Sequence, residues 1–180
     1  MIFSKPYADR VAKLRVFAGF LMVAAFAWFS QPSTGSLAIG VPVAFLGLAL
    51  RAWAAGHLEK NQQLTMSGPY AHVRNPLYVG TLTAAVGFAI ASREWPLAVL
   101  FAAAFILIYL PVVELEEQHL RGLFQYFPEY AAKVPKLLPR FTPANSGKVF
   151  RWSLYRKNRE YEALIGFLAG SALLFWKATY

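Results

Sequence analysis

The sequence predicts an all-α, polytopic integral membrane protein with five transmembrane helices, and three observations carry that prediction. Of its 180 residues, 57% are hydrophobic and only 15% are charged, whereas a soluble domain is about half apolar and a quarter charged. The apolar residues are bunched into five runs, Leu14–Ser30, Leu37–Ala55, Pro76–Ser92, Trp95–Val113 and Tyr161–Trp176. Each comes close to the roughly 17–25 residues that cross a bilayer, and five of them leave too little polar chain to cover a soluble core. Finally, the 18 Lys and Arg residues are sorted by segment. Lys5, Arg10, Lys13 and Arg15 precede the first run, Arg51, Lys60 and Arg74 lie at or after the end of the second, and nine from Arg121 to Arg159 separate the fourth from the fifth. Only Arg93 and Lys177 fall on the other side.

That asymmetry is the positive-inside pattern, which puts the N-terminus and both long loops in the cytoplasm and the C-terminus outside. It also explains the net charge of +9 without nucleic acid, whose footprint requires a basic face with base-stacking aromatics. A cleaved signal peptide is not expected, because the first run is long, lacks a small-residue cleavage site and is followed by further apolar runs. The chain has no cysteine, which excludes disulfides and thiolate chemistry. His57, His72 and His119 stand alone, so no metal site is expected.

In order along the chain, residues 1–13 read as a basic cytoplasmic lead-in and Gln31–Ser36 as a tight external turn around Pro32 and Gly35. Pro42 is expected near the start of the second helix, where amides lack an intrahelical acceptor. Gly40, Gly47 and Gly56 permit close helix approach. Ser92-Arg93-Glu94 is so short a link that the third and fourth spans must form an antiparallel hairpin. Pro111 should loosen the fourth helix ahead of its acidic continuation, on which Glu117 and Arg121 are spaced to pair. Pro128, Pro135, Pro139 and Pro143 forbid a long helix afterwards. Residues 144–160, including Asn145-Ser146-Gly147 and a run of cations, read as a basic segment on the inner membrane surface. Gly166 and Gly170 in the fifth span have a small-xxx-small spacing suited to helix packing. A single membrane domain over 1–180 is expected: two spans in 1–55, a core with the hairpin in 56–140, and the basic segment with the fifth span in 141–180.

Two stretches are chemically dense. One runs from Gln62 to Gly80, with Gly68-Pro69-Tyr70 and Arg74-Asn75-Pro76-Leu77-Tyr78-Val79-Gly80. The other is Glu114-Leu115-Glu116-Glu117, directly after an apolar run, where carboxylates are costly unless paired or functional. Together they resemble the isoprenylcysteine carboxyl methyltransferase family, which also takes in phospholipid methyltransferases. That pattern is Gly-x-Tyr, Arg-His/Asn-Pro-x-Tyr-x-Gly, a helical hairpin, Glu-Glu-x-x-Leu and Tyr-x-x-x-Val-Pro. It is met here by Gly68, Tyr70, Arg74, Asn75, Pro76, Tyr78, Gly80, Glu116, Glu117, Leu120, Tyr130, Val134 and Pro135, over about residues 55–140.

The resemblance implies a bacterial-type member in the inner membrane, surrounded by membrane lipids, taking S-adenosylmethionine into a cytoplasmic-face pocket and methylating a lipophilic small-molecule or lipid acceptor. The implied cofactor contacts are Gln62, Gln63, Leu64, Thr65, Tyr70, Asn75, Pro76, Leu77, Tyr78 and Glu116. A sulfonium is attracted to aromatic faces, and a carboxylate such as Glu116 suits the donor's ammonium. Glu117 and His119 are the candidate bases.

Three departures stand out. Asn75 replaces the commoner histidine, the block between Phe124 and Tyr130 is one residue shorter, and Val112 occupies the position from which relatives present an arginine to a prenylcysteine carboxylate. Two other classes remain open. One is an NADPH-dependent sterol-type reductase, which shares the Arg-x-x-x-Tyr-x-Gly hairpin but carries an acidic residue where this chain has Thr81. The other is a non-catalytic scaffold. The topology itself is testable: reporter fusions after Ser33 and Tyr180 should register the external side and one near Asn145 the cytoplasm, and a cytoplasmic C-terminus would overturn the assignment.

Overall fold

Each apolar run is the body of a helix in the computed structural model, which describes residues 3–144 and 147–180. The helices are α1 (Lys5–Phe29), α2 (Thr34–Ala55), α3 (Pro76–Ser92), α4 (Trp95–Ala104), α5 (Leu110–Leu123), α6 (Phe127–Lys133), α7 (Trp152–Lys157) and α8 (Tyr161–Thr179). A single π-helical turn, Phe105–Tyr109, joins α4 to α5, so 29 residues from Trp95 to Leu123 run as one helix. Among the described residues, four helices are long and apolar enough to cross a membrane, and α3, with 17 residues, is a shorter apolar helix. At about 1.5 Å per residue, α3 spans some 25 Å, the short end of what a bilayer core accepts. Among the described residues there is no strand, as expected where every backbone amide must be satisfied within its own segment.

Two helix starts differ from the sequence expectation. The basic lead-in is helical from Lys5 onward, because Pro6 falls in the first turn, where its missing N–H is not needed. In α2, the Ser33 and Ser36 hydroxyls each accept the other's backbone N–H, at 3.2 and 2.9 Å. This reciprocal cap starts the helix at Thr34, so Pro42 lies in its interior and not near its start. The Ala38 carbonyl thereby loses its i+4 donor.

Contacts divide the chain into two units, and the division falls within α2, α3, α5 and α8. Unit 1 comprises Met1–Ala44, Ala85–Gln118 and Leu168–Tyr180. Its core is Phe26, Leu37, Ala91, Leu97 and Leu174. Here α2 and α3 meet through backbone: a Cβ on Gly40 would lie 2.5 Å from the Gly87 oxygen, and one on Gly87 would lie 2.2 Å from the Ala44 nitrogen. A Cβ on Gly170 of α8 would lie 3.3 Å from the Phe88 ring, so the ring packs where a side chain would crowd it. Lys177 donates to the Ala27 and Trp28 carbonyls at 3.0 and 3.2 Å, closing the C-terminus of α1 with a cation. Pro111 has the loosening effect expected of it. It cannot donate to Leu107, and the Tyr7 hydroxyl donates to that carbonyl instead, at 2.6 Å. Large apolar side chains such as Phe17, Phe20 and Trp28 of α1 point outward, as lipid-facing residues do.

Unit 2 comprises Phe45–Ala84 and His119–Phe167. The same close α2–α3 approach occurs here, with a Cβ on Gly47 2.4 Å from the Ala84 nitrogen and one on Gly80 2.7 Å from Arg51 Cγ. Gly56 is needed for a different reason: a Cβ there would enter the Phe150 ring. Gly166, by contrast, faces open space and takes no part in the small-residue contact expected of it. Gly87→Leu should therefore cost about 1–3 kcal/mol of stability through overpacking against backbone. Gly166→Ala should gain roughly 0.5–1 kcal/mol from helix propensity. Thermal unfolding of the detergent-solubilised variants checks both.

Candidate functional site

The motif block of unit 2 is held by hydrogen bonds between two segments some sixty residues apart. The Arg74 guanidinium donates to the carbonyls of Ala131 at 2.7 Å and Val134 at 2.8 Å, and the Arg74 N–H donates to Pro135 at 2.9 Å. These carbonyls belong to the last turn of α6 and to the residues just after it, where intrahelical donors run out. The Tyr130 hydroxyl donates to the Tyr70 carbonyl at 2.7 Å. Ala144 N–H donates to Ala71 O at 2.9 Å, Arg140 N–H donates to His72 O at 3.0 Å, and His72 Nδ1 lies 2.8 Å from Arg140 O. Asn75 Nδ2 donates to Lys136 O at 3.2 Å. Phe127, Tyr130 and Val134 form a core beneath this seam, with Leu64, Met66, Leu120 and Phe124 against it.

Gly68 and Pro69 open the block with a 3-10 turn, Gly68–Ala71. Gly68 has φ +59° and its missing Cβ would lie 2.6 Å from His57 Nε2, so both conformation and space require glycine. Asn75 then starts α3: its carbonyl accepts from the N–H groups of Tyr78 and Val79, both at 3.1 Å, with Pro76 at the first helical position.

The residues implied as cofactor contacts are distributed as follows. Gln62, Gln63, Leu64, Thr65, Tyr70, Asn75, Pro76, Leu77 and Tyr78 all belong to unit 2. Thr65, Tyr70, Asn75 and Pro76 are buried, Gln62 is exposed, and Gln63, Leu64, Leu77 and Tyr78 are half-buried. Thr65 Oγ1 accepts the Glu59 N–H at 3.4 Å, closing the turn that carries Gln62 and Gln63. Glu116 belongs to unit 1, is exposed, and lies 3.5 Å from Arg15. Of the candidate bases, Glu117 is buried in unit 1 and His119 is exposed in unit 2. Val112 is buried, 2% exposed. Arg121, spaced to pair with Glu117, places its guanidinium 5.8 Å from the centroid of the Phe127 ring.

Sequence reasoning missed two polar centres in unit 2. Arg51 binds Glu160 in a bidentate pair at 2.6 and 3.0 Å and donates to Thr81 Oγ1 at 2.5 Å. An arginine inside an apolar run signals a buried partner, but nothing in the sequence pointed to Glu160. Glu59 receives both Lys148, at 3.4 Å, and Arg151. A third residue, Glu114, is buried in unit 1, where it accepts the Phe3 N–H at 3.4 Å.

The phospholipid methyltransferase family model matches residues 14–126, well over half of the chain. The chain belongs to the phospholipid methyltransferase family. The match takes in the first two spans, the Arg74–Gly80 motif and the acidic stretch. Among curated relatives, the cobalt-zinc-cadmium resistance protein CzcN of Cupriavidus metallidurans is 35% identical over 106 residues, which is 58% of this chain and 48% of that protein. The nickel-cobalt-cadmium resistance protein NccN of Alcaligenes xylosoxydans is 30% identical over 141 residues, 77% of this chain and 60% of that protein. The chain thus spans about half to three-fifths of the length of these relatives. No solved structure matches it.

The seam joins Arg74 to the distant Tyr130–Pro135 stretch, and each segment supplies donors to carbonyls of the other. Arg74→Met should cost about 1.5–3 kcal/mol, the usual worth of hydrogen bonds from a charged donor. Tyr130→Phe, which deletes one neutral bond, should cost about 0.5–1.5 kcal/mol. Unfolding midpoints of the two variants should rank in that order.

Proposed function

We propose that this membrane methyltransferase-family protein transfers the methyl group of S-adenosylmethionine to a lipophilic acceptor at the cytoplasmic membrane face, with its N-terminus inside and its C-terminus outside. The observation that carries the reading is the Arg74 seam, which holds Asn75–Tyr78 at the start of α3 in a family whose model covers that motif. The side chains of unit 2 suit the donor's chemistry. The half-buried ring of Tyr78 offers an aromatic face for a sulfonium. Gln62, Gln63 and Asn75 offer amides for hydroxyls and ring nitrogens. When bound, the donor supplies an electrophilic methyl group and departs as S-adenosylhomocysteine. The protein's part is to hold and orient the reactants, which by itself supplies much of the acceleration in such transfers.

Glu116 enters this reading with a small energetic role. Its carboxylate is about half exposed and already faces Arg15; an exposed pair is worth about 0–1 kcal/mol. Exchanging Arg15 for a donor ammonium therefore changes little. The acceptor is neutral when it attacks. A carboxylate entering an apolar wall needs a cationic partner, since an unpaired buried charge costs several kcal/mol, and buried Val112 offers none. An amine acceptor sheds a proton, for which Glu117 and His119 are the candidate bases. Outside the spans, Trp152, Arg156 and Lys157 of α7 are exposed, which suits contact with anionic lipid headgroups.

Purified protein should bind S-adenosylhomocysteine and not NADPH. Tyr78→Leu should weaken that binding about tenfold through the lost aromatic face, and Glu116→Gln should weaken it no more than about fivefold. Labelled donor offered with an aminophospholipid and a farnesylated cysteine analogue should label the first. Ester formation on the second alone would overturn the neutral-acceptor reading, and binding of NADPH in place of the homocysteine would overturn the methyltransferase reading.

A further inference from the structure

Residues 144–160 are expected from their charge to lie on the inner membrane surface; Asn145 and Ser146 lie outside the described residues, and Lys148–Glu160 is in unit 2 a strap fastened to the end of α2 and to the turn that follows. Arg151 N–H donates to Gly56 O at 2.9 Å. Asn158 Nδ2 donates to Ala55 O and Leu58 O, both at 2.9 Å, and His57 Nε2 lies 3.1 Å from Lys148 O. The Phe150 ring fills the space left by the missing Gly56 side chain. Arg51 fixes the far end of the strap through Glu160.

Its only ionic attachment to the turn, among the described residues, is Glu59, which takes both Arg151 and Lys148. Glu59 is also the backbone pivot of the turn. Its carbonyl accepts from Gln62 N–H at 3.1 Å and Gln63 N–H at 3.4 Å, and its own N–H donates to Thr65 Oγ1 at 3.4 Å. A displacement of Glu59 therefore displaces Gln62, Gln63 and Thr65 together. The Glu59 side chain is mostly buried, whereas Arg151 and Lys148 are half exposed, so the carboxylate is the fixed member and the cations close over it.

We propose that the Lys148–Glu160 strap is a clamp that positions the methyl-donor turn, with Glu59 as the positioning residue and Arg151 and Lys148 as its latch. The inference rests on the donor reading given above and extends it to residues outside the family motif. The clamp makes donor affinity depend on a segment that lies beyond the matched family region, 14–126.

Two measurements on the full chain in detergent micelles test it. The first is hydrogen–deuterium exchange of amides 57–66 without ligand, and the second is affinity for S-adenosylhomocysteine. Glu59→Gln and Arg151→Gln should speed exchange across 57–66 and weaken binding about fivefold, the upper range for partly exposed ion pairs, with the melting temperature unchanged. Arg151→Lys, which keeps the cation, should retain wild-type values in both. Unchanged exchange in both glutamine variants would overturn the clamp. Faster exchange with unchanged affinity would overturn its role in donor positioning. A wild-type protein that fails to bind the homocysteine would overturn the donor reading, and exchange would still decide whether the strap holds the turn. Should Glu59→Gln fail to fold, Arg151→Gln tests the same latch from its half-exposed side.

Discussion

Arg74 answers a shortage of donors at the end of α6. The final carbonyls of any helix have no intrahelical N–H, and after Val134 the chain turns into Pro135, which has none to give. A guanidinium carries five donors, and Arg74 directs Nη1 at both Ala131 and Val134 while its backbone reaches Pro135. Once that joint is made, the neighbours of Arg74 in the chain fall opposite further partners, Tyr70 against Tyr130, His72 against Arg140 and Asn75 against Lys136. The start of α3 is fixed as a consequence. Several family-motif residues that look like chemistry in the sequence thus build the frame in which chemistry can occur.

Small residues impose a second constraint. Membrane helices gain little from hydrophobic association with one another, so close approach and polar links decide how they pair. Gly40, Ala44 and Gly47 on α2 meet Ala91, Gly87, Ala84 and Gly80 on α3 so closely that a side chain on any of these glycines would run into the facing helix or side chain. Gly80, the last residue of the motif, therefore serves packing. The Arg51–Glu160 pair works alongside it. A buried ion pair contributes little net stability after desolvation, but its bidentate geometry and the Thr81 bond allow one arrangement of the chain before α8. This is specificity more than strength.

The charges show how far sequence reasoning reaches. Counting cations by segment treats each as a free charge near a surface. In the structure several are committed: Arg15 to Glu116, Arg51 to Glu160, Lys148 and Arg151 to Glu59, and Arg159 to Glu162. The count needs no knowledge of partners, which is why it can be made from sequence. What each cation does depends on carboxylates up to about a hundred positions away, as with Arg51 and Glu160, and no local pattern contains that.

By itself the sequence determined the membrane-spanning class, the helical runs, the hairpin at Ser92-Arg93-Glu94 and the family motif. These are properties of local hydrophobicity, short-range geometry and residue order, and each apolar run became the helix it implied. Helix ends at Lys5 and Thr34 were less legible, because a basic first turn and a serine cap both look like loop. Only the tertiary structure decided that Arg74 and Tyr130 hold the motif block, that Pro42 sits within α2, that Glu116 is exposed while Glu114 and Glu117 are buried, and that the basic segment is a strap. Each of those outcomes turns on which distant backbone carbonyl or carboxylate a side chain meets, and that is fixed only when the helices have packed.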